Sequence, residues 1–543
     1  MVFARRSTTL LAAIIASCAM VLSLTACTSD NKTVVDGQTT VTSNSAGGVA
    51  VFTPSDGITL NQQMPLNKWA KLVPDLTKAL VDAGFKKGDI NHTTSDSLDK
   101  QSRAIQDFVV DHLSNNTTDD SGIAIAPDNM TLLVAPVVEA DASTRQYGDY
   151  ISQNLSTNDA TDGEATSDGE SSEDDSSKDD SSNTESDSTA SDEQAQAVDR
   201  LVSSLKLAKE SGMHVVLLGN SIEGYKPDAF VKFSDAQTIG KLQAEKMASK
   251  LKLDKASKDN PKYIEVLLPY TAVDEKGNAN DSTFAQEAFR GIWQVLGSYY
   301  QKGVVESPSG TLDGKSTEND WQAVAYDAAK EGSTAKVLDK RLAKTDGQST
   351  LTRIDGIITM NDYIASEVVK ELDDLGYTGS AADINPQITI SGIVGNITGK
   401  KDLSRDAVPD PIKSPENDNA NDSSSSDDDA DEDTSASDKD RDSQWPLVTG
   451  YGAYVSNIPS IVNGKQWMTG MEDRQTIATD IAQACAKLNK DEALNSMPSI
   501  RNSEVGGVKK IPTISEPLLA VSASNLKSAL IDPGYISLAD AGL

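Results

Sequence analysis

Strand-like and helix-like segments alternate along this chain in two successive runs. Apolar strand patterns occupy six segments: 49–54, 121–127 and 213–219 in the first run, then 263–270, 354–362 and 446–452 in the second. Helical patterns lie between them, among others at 66–83, 197–211 and 284–300. Such alternation is typical of parallel sheets with helices on both faces. Because 543 residues are too many for one hydrophobic core, the sequence predicts an α/β protein with two Rossmann-like lobes.

Two acidic tracts interrupt this pattern, at 156–196 and 402–444. They contain 14 and 15 acidic residues against one and four basic residues, and they carry most of the formal net charge of −33. Both are rich in Ser, Asp, Glu, Asn and Thr and almost lack large apolar side chains, so neither can bury enough surface to offset its chain entropy. We expect two disordered acidic inserts. The strong negative charge also argues against binding to nucleic acid.

The N-terminus has the pattern of an export signal. Arg5 and Arg6 precede an apolar run at 10–24, which is too short for a convincing permanent membrane span, and the sequence then reaches Cys27 through Thr and Ala. This arrangement resembles a bacterial lipoprotein signal at 1–26, with Cys27 carrying the lipid. An ordinary secretory signal with an incidental cysteine is the alternative. Residues 27–47 would form a polar tether to the outer face of the cell membrane.

Catalytic chemistry has few candidates in this sequence. It contains three histidines, and neither a Gly-x-Ser-x-Gly elbow nor a His-Glu-x-x-His pair occurs. Cys485 lies in a helical pattern, where a small core residue is expected rather than a nucleophile. We therefore expect no enzymatic activity, no cofactor and no metal site.

Eight segments carry a resemblance to a known family, at 67–76, 126–130, 233–244, 353–365, 449–455, 461–469, 510–521 and 534–538. In sequence and in order they resemble the sugar-binding lipoproteins and periplasmic proteins of bacterial ABC importers, nearest to xylose-binding and multiple-sugar-binding proteins. The resemblance implies the type I periplasmic-binding-protein fold, with two lobes joined by a three-strand hinge. It places the N-terminal lobe at 48–234 plus about 470–510, and the C-terminal lobe at 235–469 plus about 511–543.

The resemblance also implies a function. A small-molecule ligand, probably a sugar, would be captured between the lobes, which close around it by a hinge motion. The closed protein would deliver the ligand to an ABC transporter permease. The alternative is a degenerate binding-fold lipoprotein that acts as a sensor or surface interaction protein without sugar transport.

Candidate ligand contacts follow from matching positions. Trp69 and Trp321 match family tryptophans, Asn361 matches a ligand contact, and Asn280 and Asp281 fall near paired asparagines. Packing within a lobe is the alternative role for each tryptophan. The full set of candidate ligand-binding residues is Asn67, Lys68, Trp69, Asp128, Asn129, Asn220, Asp235, Asn280, Asp281, Trp321, Asn361, Asp362, Tyr451 and Glu472.

Three charged sugar anchors of the family are missing or reversed here. Gly219 and Asn220 stand where the family has an Asp-Arg pair, Gly452 ends a segment that otherwise ends in Asp, and Glu472 is the residue nearest to a family lysine. The candidate carboxylates would make the cleft acidic and suited to a cationic or amine-bearing solute. Solvated lobe edges are the alternative explanation for those carboxylates.

Overall fold

The computed structural model describes residues 46–56, 65–115, 125–138, 144–157, 185–273, 280–343, 351–382 and 444–543. The predicted signal, Cys27 and most of the tether lie outside these residues, as do the acidic segments 158–184 and 383–443. Within the described ranges, no helix is long and apolar enough to cross a membrane.

Strands and helices alternate as the sequence predicts. In chain order the strands are β1 (Gly48–Pro54), β2 (Ile90–Ser95), β3 (Met130–Val134), β4 (Asn154–Leu155), β5 (His214–Leu218), β6 (Ser221–Ile222), β7 (Ala229–Val231), β8 (Lys262–Val266), β9 (Leu268–Pro269), β10 (Val305–Glu306), β11 (Ala325–Tyr326), β12 (Gly356–Ile358), β13 (Leu447–Val448), β14 (Met468–Met471), β15 (Ile500–Val505), β16 (Val508–Ile514) and β17 (Leu519–Ser522). The helices are α1 (Trp69–Asp82), α2 (Leu98–Asn115), α3 (Glu185–Glu210), α4 (Ala236–Lys250), α5 (Thr283–Gln301), α6 (Trp321–Val324), α7 (Ser333–Arg341), α8 (Asp362–Leu375), α9 (Ile458–Val462) and α10 (Arg474–Leu488).

Two separate sheets form the centres of two lobes, which confirms the predicted α/β architecture. The N-terminal lobe has a seven-stranded sheet in the order β15-β16-β7-β5-β3-β1-β2, parallel except for β15. The C-terminal lobe has a four-stranded parallel sheet in the order β10-β8-β12-β13. Strand β16 of the first sheet ends at Ile514, four residues beyond the lobe boundary of about 510 that the family resemblance implies.

Helices cover both faces of the N-terminal sheet because its strands are apolar on both sides. In β1, Val49 and Val51 pack with α1 and α10 on one face, while Ala50 and Phe52 pack with α2 and α3 on the other. This continuous burial is typical of a central parallel strand. Cys485 is fully buried among the apolar residues of α10, as the sequence predicts.

Among the described residues, three segments cross between the lobes, and two of them are strands. Strands β14 and β17 pair in antiparallel register, while the first crossing, residues 232–235, is not a strand. The prediction of a three-strand hinge is therefore corrected to two strands and one irregular segment. A side chain next to the β14–β17 pair holds the irregular segment instead: the Glu472 carboxylate accepts the backbone N–H of Ser234 over 2.7 Å.

Two local predictions fall partly on described residues. Of the insert predicted at 156–196, residues 158–184 lie outside the described residues, and α3 begins at Glu185 within its last part. Of the strand predicted at 121–127, residues 121–124 lie outside the described residues and 125–127 are not in a strand. The sheet strand β3 begins only at Met130, after the 3₁₀ turn Pro127–Asn129.

Candidate functional site

A cavity of about 630 Å³ opens at the carboxyl ends of the N-terminal strands. In open parallel sheets this edge is where loops gather and ligands bind. The cavity has walls from both lobes, since Tyr363 at the start of α8 and Tyr454 face residues of the N-terminal lobe across it. Its lining is Pro54, Ser55, Asp56, Pro65, Lys68, Trp69, Ser95, Asp96, Val137, Val138, Thr144, Gln146, Gly148, Asp149, Ile151, Gln153, Asn220, Tyr363 and Tyr454.

Asp149 organises the N-terminal wall of the cavity. One carboxylate oxygen pairs with the Lys68 ammonium over 2.8 Å, and the other accepts the backbone N–H of Trp69 over 3.0 Å. It thereby caps the first turn of α1, where Lys68 provides no side-chain cap. Burial, together with the neighbouring Asp149, raises the pKa of Asp56 from 3.8 to about 6, although Lys68 opposes this shift.

Trp69 is both a core residue and part of the cavity wall. Its side chain is 3% exposed and meets the rings of Tyr150 and Phe233 edge-on, at centroid distances of 5.0 and 5.7 Å. Gly219 lies against this indole with a φ of +72°, a conformation that glycine adopts at little cost. Gly219 therefore shapes the turn behind Trp69.

Asn220 lines the cavity while its amide is already engaged by the protein backbone. Its Nδ2 donates to the carbonyl of Pro136, and its Oδ1 accepts the N–H of Gln153, both over 2.9 Å. The side chain therefore holds the backbone at Pro136 and Gln153 in place beside the cavity. Of the predicted contacts, Lys68, Trp69 and Asn220 are brought together in this cavity.

Asn361 lies at the boundary between the lobes. Its Oδ1 caps α8 by accepting the N–H of Ile364 over 2.9 Å. Its Nδ2 donates to the Oε1 atom of Gln146, a residue of the N-terminal lobe, over 3.1 Å. The amide that the sequence predicts as a ligand contact is thus paired with the chain's own glutamine.

Asp362 is the centre of a buried hydrogen-bond network behind Asn361. It accepts hydrogen bonds from the N–H of Tyr454, the amide of Gln466 and the hydroxyl of Thr469, at 2.7–2.9 Å. Burial raises its pKa to about 6 even though these donors favour the ionised form. The side chain is fully buried and is not among the cavity-lining residues.

Glu472 and Tyr451 form a second buried group, at the hinge. Glu472 accepts hydrogen bonds from the backbone N–H and the hydroxyl of Ser234, and that hydroxyl lies 2.6 Å from the hydroxyl of Tyr451. Burial raises the pKa of Glu472 from 4.5 to about 7, and it raises the pKa of Tyr451 well above its ordinary value. The backbone N–H of Glu472 donates to Asn67, which places a third candidate residue in this group.

The Glu472→Gln variant is expected to remove a pH dependence of stability. Because the folded protein holds this proton more tightly than the unfolded chain, wild-type stability falls as the pH rises from about 4.5 to about 7. Gln keeps an acceptor for Ser234 without titrating. We expect the variant to be about 2–3 kcal/mol more stable than wild type at about pH 8, and similar near pH 4.5. Urea unfolding across this range measures the difference, and a difference that is constant with pH would contradict the assignment.

The remaining candidates lie outside the cavity lining. Asp128 and Asn129 precede β3 and so lie at the amino end of that strand, whereas the cavity is at the carboxyl ends. Asp235 caps α4 by accepting the N–H of Thr238 over 2.8 Å. Local structure therefore explains Asp235, and Asp128 and Asn129 lie at the edge of the sheet opposite the cavity.

The last three candidates belong to the C-terminal lobe. Trp321 begins α6 and meets the ring of Tyr270 edge-on at 5.1 Å. Asn280 donates to the carbonyl of Thr271, and Asp281 accepts the N–H of Thr283 at the start of α5. None of the three is a lining residue of the cavity.

Five residues that the sequence does not predict as contacts also line the cavity: Asp56, Gln146, Asp149, Tyr363 and Tyr454. Tyr363 and Tyr454 lie in two segments that carry the family resemblance, next to the predicted contacts in sequence. That closeness in sequence could have indicated them as cavity residues. Asp149 and Gln146 lie in a connection without apolar periodicity, where no sequence pattern indicated a role.

Several solved structures are similar to this chain. An ABC transporter solute-binding protein of Clostridium phytofermentans with bound β-D-glucose is 17% identical, with 91% of this chain and 99% of that chain covered and a TM-score of 0.44. A carbohydrate transporter solute-binding protein of Chloroflexus aurantiacus in complex with D-glucose is 17% identical, with 92% and 98% covered and a TM-score of 0.43. A solute-binding protein of Bacillus halodurans with bound myo-inositol is 12% identical, with 90% and 98% covered and a TM-score of 0.36.

No protein-family model matches the chain, and no curated protein matches it either. At these TM-scores the fold assignment rests on the sheet topology described above. The three solved structures named above are solute-binding proteins of transporters.

Proposed function

We propose that this protein is a lipid-anchored solute-binding protein on the outer face of the cell membrane. It captures a carbohydrate-like ligand between its two lobes and delivers it to an ABC transporter permease. One observation carries the proposal: a cavity of about 630 Å³ lies where the carboxyl ends of the N-terminal parallel strands meet residues of the C-terminal lobe. A ligand that touches both walls stabilises the closed arrangement of the lobes.

The composition of the walls supports a polyhydroxylated ligand. Carboxylate, amide and ammonium groups from Asp96, Gln153 and Lys68 provide donors and acceptors for hydroxyls. The rings of Tyr363 and Tyr454 provide apolar faces for the C–H surface of a sugar. Anchoring through Cys27 would hold this cavity close to a membrane permease.

Calorimetric titration of the full chain with D-glucose, D-allose, D-ribose, L-arabinose and myo-inositol tests the proposal. We expect saturable heat with at least one of these solutes. No saturable heat with any solute of the panel would contradict sugar capture, and it is the result that the interaction-protein alternative predicts.

The Tyr363→Ala variant tests whether the ligand touches the C-terminal wall. Loss of this ring from the cavity is expected to weaken the binding of the active solute by about tenfold. Tyr299→Ala is the matched control, since Tyr299 is a partly buried tyrosine on α5 outside the cavity, bonded to Asp254. Equal affinities of the two variants would place the ligand elsewhere.

A further inference from the structure

Residues 144–151, named here the interlobe strap, are anchored firmly on the N-terminal lobe. Asp149 pairs with Lys68, and the backbone N–H of Asp149 donates to the carbonyl of Asn67 over 2.8 Å. The Tyr150 hydroxyl donates to the carbonyl of Lys68, and its ring stacks on Phe233 at 4.7 Å. This end of the strap is therefore part of the N-terminal core.

The other end of the strap belongs by its contacts to the C-terminal lobe. The Gln146 side chain accepts from Asn361, and the Gln146 carbonyl accepts the hydroxyl of Tyr454 over 2.7 Å. The Tyr147 ring is buried in the core cluster of the C-terminal lobe, 4.7 Å from the ring of Phe284. One short segment of chain thus binds both lobes at once.

Gly148 joins the two ends. Its φ is +103°, and a Cβ atom on this residue would lie 2.5 Å from the carbonyl oxygen of Asn67. Only a glycine can turn the strap this close to the N-terminal lobe, so its path across the cleft is tightly specified.

We propose that the interlobe strap holds the two lobes together without a ligand, through Gln146 and Tyr147. In two-lobed binding proteins a ligand favours closure because it contacts both lobes, and here the strap makes such contacts itself. Gln146 is also a specificity-determining residue: a ligand reaches the amide of Asn361 only if it displaces Gln146 and offers a hydroxyl or carbonyl oxygen in its place. This second statement builds on the proposed function, whereas the first does not depend on any solute.

The Gln146→Ala/Tyr147→Ala variant of the full chain tests the strap. Loss of the Gln146 side-chain bond and of the buried ring contact is expected to lower the closed-to-open ratio by at least roughly tenfold. Spin labels at the exposed positions Asp107→Cys on α2 and Lys340→Cys on α7 report the distance between the lobes. Asn154→Ala is the matched control, because Asn154 is an exposed residue of β4 in the same connection, outside the cavity lining, and its side chain accepts a hydrogen bond from Ser221 of the N-terminal lobe.

Without any sugar, we expect one short interlobe distance for the wild type and for Asn154→Ala, and a longer population in the double variant. A wild type that is already open, or a double variant that matches wild type while circular dichroism shows both to be folded, would overturn the proposal. If the double variant does not fold, Gln146→Ala alone provides the same comparison. Failure of D-glucose to bind would count against the proposed function only, because the distances are measured without it. Where D-glucose binds, Gln146→Ala is expected to change its affinity, and an unchanged affinity would refute the specificity role.

Discussion

The Asp362→Ala variant should lose about 3–5 kcal/mol of unfolding free energy. Removal of the carboxylate leaves three buried donors, on Tyr454, Gln466 and Thr469, without their acceptor. These donors lie at 0–4% exposure, so water cannot replace the lost acceptor easily. The network also joins α8 to the segments that carry β13 and β14, so its loss affects the C-terminal lobe and the hinge together.

Urea unfolding at about pH 7 measures this loss. Asp373→Ala is the matched control on the same helix, because Asp373 is 54% exposed and pairs with Lys465 at the surface. Surface pairs of this kind contribute about 0–1 kcal/mol. If the two variants were equally stable, Asp362 would not be the centre of a stabilising network.

The Arg341→Met variant should also cost about 3–5 kcal/mol, because it leaves the buried carboxylate of Glu265 without its counter-charge. Glu265 is fully buried and Arg341 nearly so, with 3.4 Å between them. The guanidinium additionally donates to the carbonyls of Val266 and Val324. These bonds attach α7 to the end of β8 and to α6, so the change would loosen one side of the C-terminal lobe.

Chemical unfolding of two further variants tests whether the stability loss comes from the unpaired buried charge of Glu265 or from replacing an arginine as such. Arg290→Met removes a partly exposed arginine that pairs with Glu287, and it should stay within about 1 kcal/mol of wild type. Arg341→Met combined with Glu265→Leu should recover part of the loss, since no unpaired charge then remains in the core. A double variant less stable than Arg341→Met would contradict this explanation.

The sequence predicted the sheets because burial on two faces leaves a readable pattern. Apolar runs such as those of β1 and β5 are continuous, and the helix predicted at 284–300 is α5 to within one residue at each end. The hinge was less predictable. The segment 232–235 is held by the Glu472 carboxylate rather than by a strand ladder, and a side-chain contact across 238 positions leaves no local pattern.

The site was predicted only in part for the same reason. Lys68, Trp69 and Asn220 follow strands or begin a helix, where position alone indicates the ligand edge of a sheet. Gln146 and Asp149 acquire their places from contacts with Asn361 and Lys68, which are distant in sequence. Glu472 and Asp362 were expected to make the cleft acidic, whereas the structure encloses both in hydrogen-bond networks away from the cavity.

A crystal structure of the full chain grown with the solute that gives the strongest calorimetric signal decides whether the solute is captured between the lobes. We expect density for that solute in the cavity, in contact with Trp69 or Lys68 on one side and with Tyr363 or Tyr454 on the other. An empty cavity at saturating solute, or density bound to one lobe alone, would contradict capture between the lobes.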